Sequence, residues 1–442
     1  MVSLVYCYLG GCCFVRYPQM ISYLSVGSIT SLICLYKQLN YAEELLLCKN
    51  DFNILLVFMS ATLVMLVSVC SPQKNLRNYN FTNAFLMLVV VVCFLSSDLV
   101  LFYFAFESSL LPILVIILSW GYQQERLQAG LHMILYTVAG SMPLFFIILF
   151  MINSSSTSSI FMMSQFSGVI KVSSLLYLGM LAFLVKLPVF GVHVWLPKAH
   201  VEAPVGGSMI LAGILLKLGG YGIYLYAGIV YSTLSSSWTS LIVSASLWGG
   251  LIAGLICLSQ NDIKAVIAYS SIVHMSLVVA GLLSGSSWGC ISALVTMLAH
   301  GWASSALFLL AYVTYLYSGS RSFSLTSGFL SVYPPLSLFW FGMCGVNMAV
   351  PPSINFIGEF IFVGAAWLIS GFILIISLSI MFIGVAYNMY LYVMVNHGGV
   401  NIYMSSGKIL LPAYMLGFMG HVLPLTMILS MPLLSSYTEI CM

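Results

Sequence analysis

Residues 184–222 read LVKLPVFGVHVWLPKAHVEAPVGGSMILAGILLKLGGYG, and this stretch decides the fold class. It belongs to two apolar runs that contain Lys186 and Lys217. A bilayer core about 30 Å thick requires about 20 apolar helical residues. An ionised lysine at a lipid-facing helix centre costs roughly 2.5–3.5 kcal/mol on insertion scales. The stretch therefore predicts membrane helices whose lysines face protein or water.

The composition of the whole chain agrees with a membrane protein. Of 442 residues, 61% are apolar and only 5%, 13 basic and 10 acidic, carry a formal charge. Soluble domains are about one quarter charged, so these charges are too few to coat a water-soluble protein of this mass. A net charge of +3, with no long basic cluster, gives no indication of a nucleic-acid partner.

Apolar runs bounded by charged residues or by Pro, Gly, Ser and Asn clusters predict an all-α polytopic membrane protein with about 14 transmembrane helices. The predicted spans are 2–15, 20–36, 52–71, 81–97, 99–119, 128–152, 172–191, 204–228, 237–258, 262–283, 286–316, 328–370, 371–395 and 408–433.

Prolines predict that the seventh and twelfth helices are broken, at Lys186–Pro188 and at Pro351–Pro352. Proline removes a backbone donor and clashes with the preceding turn, and freed backbone at membrane depth must be satisfied by protein or by a water-filled cavity. The breaks are five spans apart, which indicates two five-helix repeats, inverted because five is odd. The predicted organisation is helices 1–3 in 1–80, repeats in 81–228 (helices 4–8) and 237–395 (helices 9–13), and helix 14 in 396–442.

Four charged residues lie inside spans, away from the ends and the loops: Glu107, Lys186, Lys217 and Glu359. Burial disfavours the charged form of each group, whereas a neighbouring opposite charge favours it. A buried lysine whose partner moves can therefore hold or release a proton near neutral pH. We interpret these residues as a proton relay, and we expect Glu107 and Lys186 to form an ion pair directly or through one water. The alternative is that the charges only lock helix packing.

His274 and His300, in the tenth and eleventh spans, are candidates for intermediate stations of this relay. Neighbouring hydroxyls, such as those of Ser270, Ser304 and Ser305, could support a chain of water molecules. The alternative for each histidine is a neutral buried ring bonded to backbone or to a hydroxyl. We predict a hydrated axis at mid-membrane from Glu107–Lys186 through Lys217, His274 and His300 to Glu359.

Other chemistry has no sequence signal in this chain. The 11 cysteines include no C-x-x-C pair, and no His/Cys/Asp/Glu set has metal-ligand spacing. Neither a dinucleotide-binding G-x-G-x-x-G after a strand nor a Walker-type phosphate loop is present. We therefore expect no redox cofactor and no metal site in this chain.

The charged segments resemble those of a known family. They are FYFAFESSLLPILVIILSWGYQQERLQAG (102–130), the opening stretch 184–222, NDIKAVIAYSSIVHM (261–275), LAHGWASSALF (298–308) and PPSINFIGEF (351–360). They are similar to the antiporter-like membrane subunits of NADH:ubiquinone oxidoreductase, respiratory complex I, and among these to the chain 4 branch.

The resemblance implies a proton-pumping membrane subunit with fourteen helices in two inverted repeats. It matches Glu107 and Lys186 to the family's glutamate–lysine pair, Lys217 to a lysine of the eighth helix, and His274, His300 and Lys264 to the central polar axis. Glu359 matches the glutamate of the chain 4 branch, where sister subunits and related antiporters carry lysine.

The resemblance also implies the setting of the chain. NADH, FMN, iron–sulfur clusters and ubiquinone would be bound by partner subunits, which include neighbouring antiporter-like chains and accessory subunits. The expected location is the mitochondrial inner membrane, with lipids such as cardiolipin around the chain. The alternatives are a cation/proton antiporter subunit of the same superfamily and a structural membrane subunit that does not pump.

Overall fold

The computed structural model describes residues 51–71, 76–165, 173–230, 236–400 and 412–427, and within these ranges the regular structure is helical. The predicted spans 2–15 and 20–36 lie outside the described residues. The chain divides into two compact units. Unit 1 contains the described residues up to Leu187 together with Glu202–Thr239, and unit 2 contains Pro188–Val201 and the described residues from Ser240 onward.

The helices follow one another along the chain with short connections. As far as Val230 they are α1 Asp51–Cys70, α2 Leu76–Leu95, α3 Leu99–Ser108, α4 Leu110–Trp120, α5 Arg126–Ser155, α6 Ile160–Gln165, α7 Ser173–Lys186, α8 Trp195–Glu202, α9 Val205–Ile210, a π turn Leu211–Leu215 and α10 Leu216–Val230. They continue as α11 Ser236–Ser259, α12 Ile263–Leu283, α13 Ser287–Ser318, a 3-10 turn Phe323–Leu325, α14 Phe329–Val332, α15 Pro334–Asn347, α16 Ile354–Ile369, α17 Gly371–Asn396 and α18 Pro412–Met427.

The predicted spans correspond closely to these helices. Among the described residues, nine helices are long and apolar enough to cross a membrane, or ten if the bent pair Phe323–Val332 and Pro334–Asn347 is one span. The nine coincide with the third to sixth, eighth to eleventh and thirteenth predicted spans. The all-helical membrane fold is thus confirmed, whereas the total of fourteen stays a prediction.

The structure confirms both predicted breaks. Helix α7 ends at Lys186, two residues before Pro188, and the next helix begins at Trp195. The predicted twelfth span is interrupted twice: the segment Phe323–Val332 and α15 meet at an angle of 114°, and α15 ends at Asn347, before Pro351–Pro352. Ser353 caps the helix that follows, because its hydroxyl accepts a hydrogen bond from the Phe356 backbone N–H.

Unit 1 is built around the span formed by α9, the π turn and α10, which is almost entirely buried. Gly222 allows α10 to approach α7, because a Cβ at this position would overlap the ring of Phe183. Small residues let membrane helices approach each other closely, and this contact is of that kind.

Unit 2 is built around α12 and α13, which are both buried over most of their length. Helix α13 begins at the cap residue Ser286, whose hydroxyl accepts from the Gly289 N–H, and ends at Gly319, which has φ of +70°. Glycine is favoured at this position because the left-handed conformation has no steric cost for it. Helix α16 packs along α13 and carries Glu359 into the unit.

Candidate functional site

Lys186 is buried at the C-terminal end of α7 and reaches the backbone of α3. Its Nζ donates to the carbonyl of Phe106 at 2.7 Å and lies 3.2 Å from the centroid of the Phe106 ring. The Ser109 hydroxyl donates to the same carbonyl at 2.7 Å. Helix α3 ends at Ser108. The carbonyl of Ser108 has no helical partner, because Pro112 lacks the N–H that would bond to it. Lys186 is therefore held at an irregular point of the fifth predicted span.

Glu107 and Lys186, which were expected to pair directly or through one water, make no direct ion pair. The lysine instead bonds to the carbonyl of Phe106, the residue before Glu107. Glu107 is half-buried, and its carboxyl interacts electrostatically with Lys186 and lies near the Ser141 hydroxyl. The two charges thus belong to one cluster, and their bridging by a water molecule stays a prediction. The lysine bonds to a carbonyl because the break in α3 leaves one within its reach.

Lys217 is fully buried at the start of α10, directly after the π turn. Its Nζ donates to the carbonyl of Ala212, five residues earlier, at 2.7 Å. In a π turn the backbone bonds to the fifth residue instead of the fourth, and such turns are frequent at functional sites. No sequence signal in Leu211–Leu215 indicated this turn.

In unit 2, His274 of α12 and Glu359 of α16 face each other. The distance from His274 Nδ1 to Glu359 Oε1 is 3.5 Å, which is an ion pair when the ring is protonated. His300 of α13 follows, with its ring centroid 5.3 Å from that of His274. Three of the predicted relay residues therefore form one buried cluster.

Two basic residues of unit 2 bond to the end of α8. Lys264 Nζ donates to the carbonyl of Val201 at 3.3 Å, and Arg321 Nη1 donates to the same carbonyl at 2.8 Å. Cations are favourable at the C-terminal end of a helix, where carbonyls carry partial negative charge. Lys264 thus binds the end of α8, a role that sequence reasoning did not assign to it.

The serines expected to support a chain of water molecules donate their hydroxyl hydrogen bonds within their own helices. Ser304 donates to the carbonyl of His300 at 2.6 Å, and Ser270 and Ser305 also donate to carbonyls of their own helices. Such bonds satisfy a hydroxyl within a helix. Their hydrogen bonds therefore give no evidence that these hydroxyls support a chain of water molecules, and that role stays a prediction.

The predicted relay residues fall into two groups. Glu107, Lys186 and Lys217 lie in unit 1, and His274, His300 and Glu359 lie in unit 2. Each group combines titratable side chains with irregular backbone, an arrangement that can bind and release protons at membrane depth. In the described ranges, no group of three His, Cys, Asp or Glu side chains could hold a metal ion.

Two solved structures share the fold of this chain. A chain of respiratory complex I from Thermus thermophilus with bound NADH aligns with a TM-score of 0.88 and 20% identity, covering 99% of this chain and 100% of that chain. A chain of the archaeal membrane-bound sulfane sulfur reductase aligns with a TM-score of 0.84 and 17% identity, covering 99% and 96%. These likenesses show that the fold is shared over almost the whole chain.

Sequence comparison defines the family more narrowly. The model described as "NADH:quinone oxidoreductase/Mrp antiporter, TM" matches residues 96–384. NADH-ubiquinone oxidoreductase chain 4 of Albinaria caerulea is 41% identical over 425 residues, which cover 95% of this chain and 93% of that protein. The chain 4 protein of Ceratitis capitata is 43% identical over 364 residues, 80% of each. The chain belongs to this antiporter-like family and, within it, to the NADH-ubiquinone oxidoreductase chain 4 group.

Proposed function

We propose that this chain is the proton-translocating core membrane subunit of NADH:ubiquinone oxidoreductase. The observation that carries the proposal is the buried cluster of His274, Glu359 and His300, in which the acid lies on the helix after the Pro351–Pro352 break. A carboxylate and an imidazole 3.5 Å apart influence each other's charge, and a proton can pass between them directly or through one water, depending on the charges nearby.

Unit 1 contributes the second set of proton-binding groups. Lys186 and Lys217 each donate to a backbone carbonyl, of Phe106 and of Ala212. A carbonyl stabilises the ammonium form without binding it as strongly as a direct ion pair would. Glu107 lies near Lys186. Protonation of its carboxyl therefore changes how strongly the ammonium form of Lys186 is stabilised. We propose that all six residues are stations of the relay.

The proposed setting follows from the family. The chain would move protons while NADH, FMN, iron–sulfur clusters and ubiquinone are bound by other subunits. Its partners would be the neighbouring membrane subunits, and lipids such as cardiolipin would cover its outer apolar faces. Because many relatives are animal proteins, we propose the mitochondrial inner membrane as its location. The two inverted repeats, 81–228 and 237–395, are supported by the five-span separation of the broken helices.

Replacing Glu359 tests the function. In the assembled enzyme in vesicles, Glu359→Gln should lower the number of protons pumped per NADH oxidised while assembly stays near normal. Glutamine keeps the volume and a hydrogen bond but loses the titratable group. The matched control is Glu125→Gln, an exposed acid in the connection before α5, which should leave the ratio unchanged.

The alternatives give different results in the same experiment. If the chain is only structural, Glu359→Gln should impair assembly while each assembled complex still pumps normally. An unchanged ratio in a fully assembled variant would assign Glu359 to packing and contradict the proposal. A stand-alone cation/proton antiporter would show exchange activity without NADH oxidation.

A further inference from the structure

A small cavity in unit 2 lies beside the His274–Glu359 pair. It has room for about one water molecule. Its polar lining comes from His274, Glu359, Asn347 and Tyr387, and the rest is apolar apart from the backbone of Gly384. Asn347 and Tyr387 belong to no motif that indicated proton transfer, so the cavity adds residues that sequence reasoning missed.

Several buried polar atoms of this lining have no hydrogen-bond partner within the part of the chain that the structure describes. They are the Tyr387 hydroxyl, Asn347 Oδ1 and both ring nitrogens of His274. Buried polar groups are nearly always hydrogen-bonded, to protein or to ordered water. The two ring nitrogens of His274 point in different directions, so one water can bond to only one of them. That nitrogen, the Tyr387 hydroxyl and Asn347 Oδ1 belong to residues that line one cavity of the right size, and they indicate a bound water.

The orientation of Asn347 follows from a short chain of amides. Asn388 Nδ2 donates to the carbonyl of Gly384 at 2.9 Å, so Asn388 presents its Oδ1 to Asn347. Asn347 Nδ2 donates to that oxygen at 2.9 Å. The Oδ1 of Asn347 is therefore left as an acceptor, and it sits at the end of α15, next to the Pro351–Pro352 break.

We infer that Tyr387 and Asn347 hold a water molecule that carries protons between His274 and Glu359. The water accepts hydrogen bonds from the Tyr387 hydroxyl and a His274 N–H, and it donates to Glu359 and to Asn347 Oδ1. These four bonds use its full capacity of two donors and two acceptors. Tyr387 and Asn347 are positioning residues, since they act through the water.

The transfer step conserves charge and atoms. Protonated His274 gives a proton to the water oxygen, and the water gives one of its own protons to the Glu359 carboxylate. The imidazole and the carboxyl end neutral, and the water is regenerated. The distance of 3.5 Å from His274 Nδ1 to Glu359 Oε1 is longer than a normal hydrogen bond, which favours transfer through the water over direct transfer.

Two variants test the water without removing a titrating relay residue. Tyr387→Phe removes only the hydroxyl. Gly384→Ala adds a methyl group, and the nearest atom to it would be the Tyr387 hydroxyl at 3.9 Å, so it would fill space near that hydroxyl without a clash. The inference rests on the proposed function, so Glu359→Gln is measured alongside, in the assembled enzyme in vesicles.

We expect both variants to lower the number of protons per NADH by as much as Glu359→Gln does. The matched controls should not change it: Tyr226→Phe removes a buried hydroxyl that bonds to the Leu176 carbonyl, and Gly342→Ala adds a methyl group in open space within α15. A packing role for Tyr387 would change assembly but not this ratio.

The remaining outcomes overturn the inference in different ways. An unchanged ratio in both variants, with a loss in Glu359→Gln, would remove the water site but leave the function of the chain. A loss in Tyr387→Phe alone would show that the hydroxyl itself carries the proton. Failure of both variants to assemble would assign the cavity to packing. An unchanged ratio in Glu359→Gln as well would overturn the proposed function.

Discussion

The two buried lysines of unit 1 depend on backbone carbonyls. Lys186 bonds to Phe106 where α3 ends, and Lys217 bonds to Ala212 in the π turn. Burying an ammonium group without a hydrogen-bond partner is far more costly than burying a bonded one. Each irregular stretch of helix therefore does two things: it satisfies a lysine in an apolar environment and it fixes the position of the ammonium group.

Lys217 provides a prediction at the scale of a single residue. Lys217→Met keeps most of the side-chain volume but removes the proton-binding group, so protons per NADH should fall while assembly is largely retained. The Ala212 carbonyl loses a partner, which costs about 1–3 kcal/mol if no water replaces it. Proton uptake by vesicles during NADH oxidation measures the effect.

The matched control for this variant is Lys198→Met. Lys198 is exposed on α8, and we expect its replacement to leave the number of protons per NADH unchanged. Equal losses in both variants would mean that the net charge of the chain matters rather than the buried group. Normal pumping by assembled Lys217→Met would remove Lys217 from the relay.

The sequence predicted which residues are buried and charged, but not what they contact. Lys186, Lys217 and Glu359 stand out because charge within an apolar run is costly wherever the run folds. Their partners depend on which helices are neighbours, and periodicity does not determine this. Tyr387 and Asn347 could not be predicted as polar lining, because tyrosine and asparagine in a membrane helix have many possible roles.

At the scale of helices, proline was the informative residue. Pro188 and Pro351–Pro352 interrupt their spans as predicted, because proline removes a backbone donor and clashes with the preceding turn. Proline alone does not decide the outcome, since Pro143 lies inside the uninterrupted helix α5. The irregular point at Ser109 had a comparable signal in Pro112, although the fifth span was predicted as continuous. The π turn Leu211–Leu215 had none, since its apolar sequence is compatible with a regular helix.

The contact between α10 and the broken end of α7 gives a prediction at this scale. A methyl group at Gly219 would lie 3.0 Å from Leu187 Cγ and 3.2 Å from Lys186 Cβ. Gly219→Ala should therefore displace the end of α7 and destabilise the protein by about 1–3 kcal/mol, as overpacking does. The temperature at which the assembled enzyme loses activity measures this, and it should fall.

Gly228→Ala is the matched control, because it makes the same change on the same helix. A methyl group there would meet no atom of the described chain within 4 Å. Its inactivation temperature should equal that of the unmodified enzyme or be slightly higher, since alanine favours helix over glycine. If the two variants behave alike, the close approach of α10 to Lys186 is not what stabilises this end of α7.

At the scale of the molecule, the part of the chain that the structure describes exposes many large apolar side chains. Large side chains such as Phe382, Leu338 and Trp367 are 77%, 69% and 68% exposed, whereas α12 and α13 are buried. Surfaces of this kind on a soluble protein would aggregate. Around this chain they are suited to contact with lipid acyl chains and with apolar faces of other membrane subunits.

Extraction of the native membrane tests this environment and the family assignment together. In a mild detergent, we expect the chain to migrate with a large assembly that oxidises NADH, because its apolar faces would remain covered by partner subunits. After dissociation in a harsher detergent, the 48.4 kDa chain should separate from NADH oxidation, since we expect the redox groups in other subunits. A chain that migrates alone from the outset and exchanges cations for protons would instead be a stand-alone antiporter of the same superfamily.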